Sequence, residues 1–510
     1  MTRSMMALAL FNDAKAEHDA LKPDDDQARA AFHTKWAKNA HDFAVDHGGV
    51  YVKAAQFIAS LQGGAGEAGV PLAYVDALRP LTDRVPPRPF AAVSVVAEEE
   101  LGAPIGELVE SIEEEPIAAA SLAQVHLAHV PPRNASGGAA VAVAFKLQYP
   151  TLREQVATDF EVLNMMQSMV TTQYDFTWLL SDLKAYVTSE LDFTTEAKNG
   201  LAAAAALASL APAVLIPALV PQLCSTRTLA TEYVDGLTRL DRPAELAALR
   251  LDPEELGRLV SAAFAELSLI HGLVHGDPHS GNVYARVRPN GTSGAAAGGG
   301  GGGGGGSGGG TAATAPAQLV LLDHGLYHRL TDADRLRMCS LILECATPWP
   351  SPKRVRACAG HFAGKLAPLF PALLSPAFAL AGGLNARQLR AAAEGRLPEG
   401  TSLEDVWSTL QEMHSGESDV IGLLHSMGYV RGLHNALAFA EEPRVAALAR
   451  AAVRALHAAK APYVLGDLRL RVALALTALR VRVLFVLLYV AAALLRRFDG
   501  GATARVAPDA

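Results

Sequence analysis

The octapeptide His275–Asn282 (HGDPHSGN) limits the possible folds of this chain more than any other segment. It stands directly before a short apolar run, Val283–Val287, and this predicts a loop that leads into a β-strand. Asp277 and Asn282 are five residues apart in that loop. A carboxylate can accept a hydrogen bond from an attacking hydroxyl, and an amide oxygen can reach a magnesium ion. The spacing is that of a phosphotransferase catalytic loop.

A second apolar run, Gln318–Leu322, leads into Asp323-His324-Gly325. The aspartate of such a triplet can hold magnesium against nucleotide phosphates, and the glycine lets the backbone turn sharply beside it. Hard oxygen ligands suit Mg²⁺, so Asn282 and Asp323 are the predicted metal ligands. The alternative is that these are loop residues with capping roles only. The order of the two motifs, each beside a predicted strand, favours the metal site.

A lysine on a predicted β-hairpin supplies a further element. Val141–Lys146 (VAVAFK) forms its second strand and Ser121–Val130 its first. A lysine at the end of such a strand commonly orients phosphates and needs an acidic partner on a nearby helix, for which Glu196 is the candidate. Where a kinase has a glycine-rich phosphate loop, this chain has Pro116–Ser121 (PIAAAS). Its Cβ atoms disfavour close approach to phosphate, so we expect a different grip on the nucleotide.

Together these motifs resemble the UbiB/ADCK family of atypical, coenzyme-Q-linked kinase-like proteins. Tyr51–Gln56 (YVKAAQ) is similar to the family's Lys-x-Gly-Gln motif, with Ala55 in place of the glycine. The family pattern also includes Glu190–Glu196 (ELDFTTE) and Asn199. His324 stands where kinases have the phenylalanine of Asp-Phe-Gly, and we expect it to be a partly buried structural residue. The resemblance covers residues 40–327, and the C-terminal part only loosely.

The resemblance implies an α+β, protein-kinase-like bilobal fold with an N-terminal helical extension and a helical C-terminal region. It also implies binding of ATP or ADP with Mg²⁺, beneath an N-terminal helix that covers the active site. The implied catalytic residues are Lys146, Glu196 and Asp277, with Asn282 and Asp323 as metal ligands. The implied nucleotide-binding residues are Ala118, Ala119, Ala120, Ser121, Lys146, Glu232 and Val234. The residues expected to cap the site are Lys53, Gln56, Glu190 and Asp192.

Four regions are expected along the chain: an N-terminal helical extension (1–85), an N-lobe with the alanine-rich loop (86–234), the core of a C-lobe (235–345) and a helical C-terminal region (346–510). Residues 28–61 and 183–210 are each predicted to form one helix. The segment 291–317 is rich in glycine, alanine, serine and threonine. We expect it to be a disordered surface insert, because it cannot bury enough apolar surface to offset its ordering entropy.

Composition and the chain ends exclude several classes. A formal charge of -8 gives no electrostatic case for nucleic-acid binding, and the four cysteines show no zinc or disulfide spacing. The first residues, followed by several acids, do not resemble a transit peptide. The apolar run Val483–Leu495 reaches membrane-spanning length only if it extends back to Val472 and includes Arg480 and Arg482. A buried or interfacial helix and a membrane span therefore both stay open.

Two functions of different classes follow. The first is a Mg²⁺-dependent ATPase or small-molecule or lipid kinase of organellar prenyl-lipid metabolism, and the second is a non-catalytic, nucleotide-gated scaffold. Choline- and aminoglycoside-kinase-like phosphotransferases share the octapeptide pattern, but they lack the alanine-rich loop and the Lys-x-x-Gln helix. The resemblance implies a mitochondrial or plastid membrane location. The partners it suggests are a nucleotide, a prenyl lipid or membrane surface, and a second copy of the chain.

Overall fold

The computed structural model describes residues 3–22, 25–60, 71–82, 86–131, 139–169, 177–289, 314–385, 387–388, 401–414, 416–460 and 466–499. Helices and two sheets of more than two strands make up these residues, so the α+β expectation is confirmed. In the described residues of the N-terminal part, the α-helices are α1 (Arg3–Asp19), α2 (Asp26–His47), α3 (Gly49–Ser60) and α4 (Leu72–Leu78).

The single helix predicted over residues 28–61 is wrong, because α2 and α3 are separate. Asp25 caps the start of α2 by accepting a hydrogen bond from the Ala28 N–H at 2.8 Å. Gly48 ends α2 with a φ of 64°, a left-handed conformation that glycine adopts without the steric cost of a Cβ atom. After the turn at Gly48 comes α3, which carries two of the residues predicted to cap the site, Lys53 and Gln56.

The first sheet has five strands and includes the predicted hairpin. Its strands are β1 (Ser111–Ile112), β2 (Ala118–Ala119), β3 (Ala123–Val130), β4 (Val141–Gln148) and β6 (Thr228–Glu232), in the order β1-β3-β4-β6 with β2 beside β3. The hairpin is confirmed, with β3 starting at Ala123 rather than Ser121. Along β4, Val143, Phe145 and Leu147 are buried in one core, and the alternation of a strand places Lys146 on the opposite face.

Five helices surround this sheet and its connections: α5 (Phe90–Leu101), α6 (Ile105–Leu108), α7 (Leu152–Ser168), α8 (Thr177–Glu190) and α9 (Phe193–Ala206). Val93 and Ala97 of α5 pack into the core beneath β4. The single helix predicted over residues 183–210 is wrong, because α8 ends at Glu190 and α9 starts after Asp192. The Asp192 carboxylate caps α9 by accepting from the Thr194 N–H at 3.0 Å. This break places Glu190 and Glu196 on different helices.

The second sheet brings together the two loops predicted to carry chemistry. It contains β5 (Val214–Leu215), β7 (Thr238–Arg239), β9 (Val283–Val287) and β10 (Ala317–Leu321), in the order β5-β10-β9-β7. Strands β8 (Leu273–His275) and β11 (Tyr327–Arg329) form a separate antiparallel pair. Because Val283 of β9 lies opposite Leu321 of β10, Asn282 and Leu322 are adjacent, and the Leu322 N–H donates to the Asn282 carbonyl at 3.1 Å.

The predicted disordered segment 291–317 is wrong at its C-terminal end. Ala315 pairs with Leu251 and Ala317 begins β10, so ordered structure starts before residue 317. Residues 291–313 lie outside the described residues. Before strand β8 lie α10 (Pro243–Ala248) and α11 (Pro253–Ala265). Asp252 caps α11, which continues as a π-helix over Glu266–Ile270.

The C-terminal part is helical where the structure describes it, as predicted. It contains α12 (Asp332–Cys345), α13 (Pro352–Ala363), α14 (Phe370–Leu374), α15 (Leu403–His414), α16 (Val420–Ala436), α17 (Glu441–Lys460) and α18 (Gly466–Asp499). One large apolar core joins these helices to β8 and to the π-helix. Glu266 of the π-helix accepts two hydrogen bonds from the Arg454 guanidinium of α17, at 2.6 and 3.0 Å. The C-terminal helices therefore support the element that leads into the His275–Asn282 loop.

Candidate functional site

Lys146 and Glu196 form a nearly buried ion pair between the first sheet and helix α9. The Lys146 ammonium donates to both oxygens of the Glu196 carboxylate, at 2.9 and 2.8 Å. The two side chains are only 19% and 7% exposed. Phe193, in the first turn of α9, places its ring under the same ammonium at 5.0 Å. The structure thus brings together the two residues that the sequence suggested as partners.

Asp323 joins this pair from the end of β10. Its Oδ2 lies 3.3 Å from Lys146 Nζ, and its Oδ1 accepts the Gly325 N–H at 2.9 Å. The turn that follows is held by Asn199 of α9, which donates to the His324 carbonyl at 3.0 Å. The His324 ring is buried, more fully than the partly buried residue expected from the sequence, and its Nδ1 lies 3.0 Å from the Tyr327 hydroxyl. The carboxylate therefore has a fixed position beside the lysine.

The charges in this group shift one another's pKa values. Burial alone would raise the pKa of Asp323, but the Lys146 ammonium and the Gly325 N–H hold it well below its usual range. Burial raises the pKa of Glu196 to about 7, against the lowering effect of Lys146. Burial alone would lower the pKa of Lys146, but Asp323 and Glu196 raise it above its ordinary value. At neutral pH, Lys146 stays positive and Asp323 stays negative.

The predicted catalytic loop is ordered by its own hydrogen bonds. The Asn282 side-chain amide donates to the Asp277 carbonyl at 2.9 Å, so the loop closes between its two key residues. The Asp277 N–H donates to Nδ1 of buried His275 at 3.2 Å. Burial lowers the pKa of His275 to about 4, so the ring is neutral at pH 7 and can accept that bond. The Asp277 carboxylate lies 3.7 Å from His279 Nε2.

A second lysine reaches the site from the N-terminal helix α3. Lys53 Nζ donates to Glu190 Oε1 at 2.6 Å and lies 4.3 Å from the centre of the Tyr186 ring. Burial alone would lower the pKa of Lys53, but Glu190, Asp277 and Asp323 together raise it. Lys53 is therefore close enough to interact electrostatically with the carboxylates of Asp277 in the loop and Asp323 at the end of β10.

The other two residues expected to cap the site lie elsewhere. Gln56 donates to the Leu81 carbonyl at 2.8 Å and so ties α3 to the segment after α4. Asp192 caps helix α9. Both therefore fix the elements that carry Lys53 and Glu196, and neither hydrogen bond reaches Glu190 or Asp277.

The alanine-rich segment forms a narrow ribbon on the first sheet. Ala118 and Ala119 make up β2, which pairs with β3, and the Ala120 N–H donates to the Ala123 carbonyl at 2.8 Å. Ser121 is buried at this turn. Glu232, on the far side of the sheet, pairs with Val143 of β4, whereas Val234 is buried just beyond the strand. The alanine-rich segment therefore lies beside β3, and Glu232 lies beside β4, the strand that carries Lys146. In the described structure, neither segment makes a direct hydrogen bond to Lys146.

The structure adds residues that the sequence argument missed. Tyr186 of α8 packs on Lys53, and burial and Glu190 raise the pKa of its phenol. Arg239 of β7 binds the Asp241 carboxylate at 2.7 and 2.9 Å and also donates to the Ser280 hydroxyl at 2.9 Å. That hydroxyl in turn donates to Asp241 at 2.7 Å. This triangle of hydrogen bonds between Arg239, Asp241 and Ser280 holds the middle of the loop in place. Of the three residues, Ser280 belongs to a motif that the sequence shows.

The oxygen atoms of this site suit a magnesium ion. Asn282 uses its amide nitrogen in the loop, which leaves its Oδ1 oriented by that bond, and Asp323 supplies an ionised carboxylate. Among the described residues, no group of three or more His, Cys, Asp and Glu side chains is arranged to hold a metal. Magnesium at substrate phosphates typically uses one or two protein carboxylates and completes its shell with phosphate oxygens and water. The available donors fit that pattern.

Comparisons with known proteins agree with this architecture. A family model described as ABC1 atypical kinase-like domain matches residues 80–348. AarF domain-containing protein kinase 1 of Xenopus tropicalis is 32% identical over 316 residues, which cover 61% of this chain and 53% of that protein. The probable serine/threonine-protein kinase abkD of Dictyostelium discoideum is 32% identical over 303 residues, covering 59% of this chain and 38% of that protein.

A plant relative is also similar. Protein ACTIVITY OF BC1 COMPLEX KINASE 8, chloroplastic, of Arabidopsis thaliana is 31% identical over 222 residues, which cover 42% of this chain and 28% of that protein. The chain thus spans about half or less of the length of these three curated relatives. The family match includes the residues of the ion-pair group and of the loop: Lys146, Glu196, Asp277, Asn282 and Asp323.

Proposed function

Because the chain belongs to the ABC1 atypical kinase-like family, which includes the UbiB/ADCK proteins, we propose that it binds ATP or ADP with Mg²⁺ and transfers or hydrolyses the terminal phosphoryl group. The family membership confirms the resemblance inferred from the motifs. Relatives are named as protein kinases, which supports a phosphotransferase in general terms. The nucleotide, the metal and the turnover are the finer parts of the proposal.

The observation that carries the proposal is the contact of one lysine with two carboxylates from different elements. Lys146 lies between Glu196 and Asp323, and the Asp277–Asn282 loop is next to Asp323 through the pairing of β9 with β10. A cation fixed by a glutamate can hold phosphate oxygens, and a carboxylate beside it can hold the metal that bridges them. A purely structural ion pair would not need the second carboxylate or the ordered loop.

In the proposed mechanism each residue has one task. Glu196 holds Lys146, whose ammonium binds the nucleotide phosphates. Asn282 Oδ1 and Asp323 would hold Mg²⁺, which supplies charge neutralisation at the transferred phosphoryl group when bound. The Asp277 carboxylate accepts a hydrogen bond from the attacking hydroxyl or water and orients it. The Asn282 amide fixes Asp277 through its carbonyl.

A non-catalytic, nucleotide-gated scaffold is the second candidate, and a specific observation favours it. Lys53 is buried beside Glu190, and its charge is balanced by Asp277 and Asp323, which are the carboxylates that catalysis would use. A fixed protein cation at that place competes with an incoming metal or acceptor. The alanine-rich ribbon Ala118–Ala120 likewise lacks the conformational freedom of a glycine-rich phosphate loop.

For substrate and location, we propose a small-molecule or lipid acceptor in organellar prenyl-lipid metabolism. The support is the family membership and the chloroplastic relative. A mitochondrion and a plastid are both consistent with this proposal. A choline- or aminoglycoside-kinase-like activity shares only the octapeptide pattern with this chain, and the alanine-rich ribbon and the Lys53 helix, which such enzymes lack, argue against it.

The first experiment is thermal unfolding of the purified chain with ADP or ATP, with and without magnesium. A ligand at 100 times its dissociation constant stabilises a protein by about 2.7 kcal/mol, which a melting curve resolves. We expect a magnesium-dependent rise in melting temperature for the wild type and its loss in Asp323→Ala. Asp334→Ala, which changes an aspartate of α12 outside the site, serves as the matched control.

A second measurement separates catalyst from scaffold. Asp277→Asn should keep nucleotide binding and abolish ATP hydrolysis if the chain is an enzyme. If a cell that depends on this protein is rescued equally well by Asp277→Asn, the scaffold function replaces the enzyme. An absence of any nucleotide-dependent stabilisation in the wild type would overturn both functions.

A further inference from the structure

Between Arg469 and Val490, where the side chains of helix α18 are described, the helix has two different apolar faces, and one of them is packed against protein. Three residues between Arg469 and Val490 are buried: Thr477, Val481 and Leu484. Val481 joins the core that contains Val445 and Ala452 of helix α17. Over 22 residues this helix is long and apolar enough to cross a membrane, yet only 17% of its most apolar window is buried. A large apolar surface is therefore left outward.

The outward surface forms a continuous stripe along the helix. At about 100° per residue, positions 472, 476, 479, 483, 486 and 490 fall within a narrow arc, opposite Val481. The exposed fractions along the stripe are high: Val472 50%, Leu476 50%, Leu479 58%, Val486 62% and Val490 47%. We call these residues and Val483 the outer stripe. Exposed apolar patches of this extent mark an interaction surface rather than ordinary solvent-facing side chains.

Exposed arginines border the outer stripe on both sides. Arg469 and Arg480 lie on one flank, about 60–80° from its centre, and Arg471 and Arg482 lie on the other, about 80–100° from its centre. The segment from residue 468 to residue 498 contains six arginines and no aspartate or glutamate. Both flanks are therefore uniformly basic, which matches an anionic partner and not a mixed protein surface.

We propose that α18 is an interfacial membrane helix, which lies in the plane of an anionic lipid surface with the outer stripe immersed. In this orientation the flanking guanidinium groups lie at the level of the lipid phosphates, and the apolar side chains enter the acyl region to a depth of about 5–10 Å. Tyr489 is 77% exposed and lies on the flank that carries Arg471 and Arg482, a position that suits the headgroup region.

The arginines also argue against a helix that crosses the bilayer. Arg480 and Arg482 lie near the middle of Arg469–Val490, so a span would place both charges at the bilayer centre, where charges are costly. A span would also have to pull Val481 out of the core it shares with α17. Lying flat preserves that packing and leaves Arg469, Arg471, Arg480 and Arg482 at the surface.

Vesicle flotation of the full chain tests the proposal. We expect binding to phosphatidylcholine vesicles that contain phosphatidylglycerol, weak binding to phosphatidylcholine alone, and weaker binding at high salt. Leu476→Gln combined with Leu479→Gln should reduce the partition coefficient by more than about tenfold, since two leucines that would enter the acyl region of the membrane are lost. Arg480→Gln with Arg482→Gln should remove most of the preference for the anionic lipid.

Matched controls keep this result specific. Leu72→Gln changes a leucine that is 68% exposed on helix α4, and it should bind vesicles like the wild type. All these positions are exposed, so the melting temperature without vesicles should not change. Equal loss of binding in Leu72→Gln, or no loss in the outer-stripe variant, would overturn the proposal.

Depth measurements separate a flat helix from a spanning one. Tryptophan placed at Leu476 or at Val486 should be quenched to the same extent by bromine atoms at a shallow acyl position, and little by deep ones. Strong deep quenching that is greatest near residue 480 would show a span and overturn the proposal. Failure to bind any vesicle, with a dimer that dissociates in the outer-stripe variant, would assign the stripe to a second copy of the chain instead.

Discussion

Two buried lysine–glutamate pairs lie near the same carboxylates, and the two lysines come from different parts of the chain. Lys146 and Glu196 both lie within the family match at residues 80–348, whereas Lys53 lies outside it and pairs with Glu190 inside it. Lys146 also contacts Asp323 directly at 3.3 Å. Lys53 instead packs on Tyr186 and influences Asp277 and Asp323 only through its charge.

The difference teaches that similar ion pairs can have opposite consequences for a ligand. A cation held beside the carboxylate that we propose to bind the metal can bind phosphate, so it should favour the nucleotide. A cation added from a separate helix neutralises carboxylates that a metal would otherwise use, so it should oppose the metal. We expect the two lysines to be distinguished by the sign of their effect on ligand binding.

The variant expected to separate the two lysines most strongly is Lys146→Met. Nucleotide affinity, measured by calorimetry in magnesium, should fall by about ten- to hundredfold, because charge-assisted hydrogen bonds contribute about 1.5–3 kcal/mol. Lys184→Met, on helix α8, is the control and should leave the affinity unchanged. An unchanged affinity in Lys146→Met would show that the lysine is only structural.

The same variant should acquire a distinctive pH dependence of stability. Burial already raises the pKa of Glu196 to about 7, and loss of Lys146 removes the group that lowers it. Folded protein then binds more protons than the unfolded chain above pH 4.5, so its free energy of unfolding should fall as the pH rises toward the folded-state pKa. Lys146→Met with Glu196→Gln should lack this extra slope.

The next effect concerns the loop rather than either lysine. Arg239→Leu removes one corner of the triangle with Asp241 and Ser280, so the Asp277–Asn282 segment should lose order. We expect turnover to fall by about tenfold, or 1.4 kcal/mol, while nucleotide affinity stays within about twofold. Hydrogen exchange of amides 277–282 should become faster. A loss of affinity as large as that of Lys146→Met would contradict this positioning role.

Arg242→Leu is the matched control for that experiment. Arg242 is 56% exposed and reaches Asp241 only at 4.0 Å, so its loss should change neither turnover nor hydrogen exchange of the loop. The pair of variants separates an effect of geometry from one of net charge.

The sequence predicted the parts of this site that are local in the chain. The His275–Asn282 loop, the Val141–Lys146 strand and the Asp323 turn could be read from period and spacing, and the pairing of β9 with β10 brings two of them together. The break at Asp192 was missed, because α8 before it and the alanine-rich α9 after it are both helical, and the capping role of one aspartate decides where the second helix begins. Gly48 ended a helix for a similarly local reason.

Other features could not be predicted, because they depend on tertiary packing. Tyr186 has no motif of its own, and it joins the site only because helix α8 packs beside α3. Gln56 belongs to a recognisable motif, yet its hydrogen bond goes to Leu81, which is 25 residues away. The sequence of α18 shows apolar residues that repeat with the period of a helix. Which of its faces packs against α17 is known only from the folded chain.

A smaller effect of opposite sign should come from Lys53→Met. Removal of the ammonium leaves Asp277 and Asp323 less neutralised, so magnesium should bind more tightly in the presence of ADP, by about fivefold, or 1 kcal/mol. A magnesium titration followed by thermal shift measures this. Lys38→Met, which removes a lysine that is 75% exposed on helix α2, is the control. Weaker magnesium binding in Lys53→Met would place both lysines in the same role.

The smallest effect tests whether the cap depends on the alanine that departs from the family motif. Ala55 is 4% exposed and packs in a core with Val52, Leu78 and Leu81, so its methyl group fills space between α3 and α4. Ala55→Gly should lower stability by about 1 kcal/mol through helix propensity, with the Lys53–Glu190 contact retained. The melting temperature should fall by only about 1 °C, because a chain of 510 residues has a large entropy of unfolding, and the magnesium affinity should stay unchanged. A change in magnesium affinity like that of Lys53→Met would mean that this methyl group sets the position of the lysine, and the cap would then depend on packing in α3 as much as on charge.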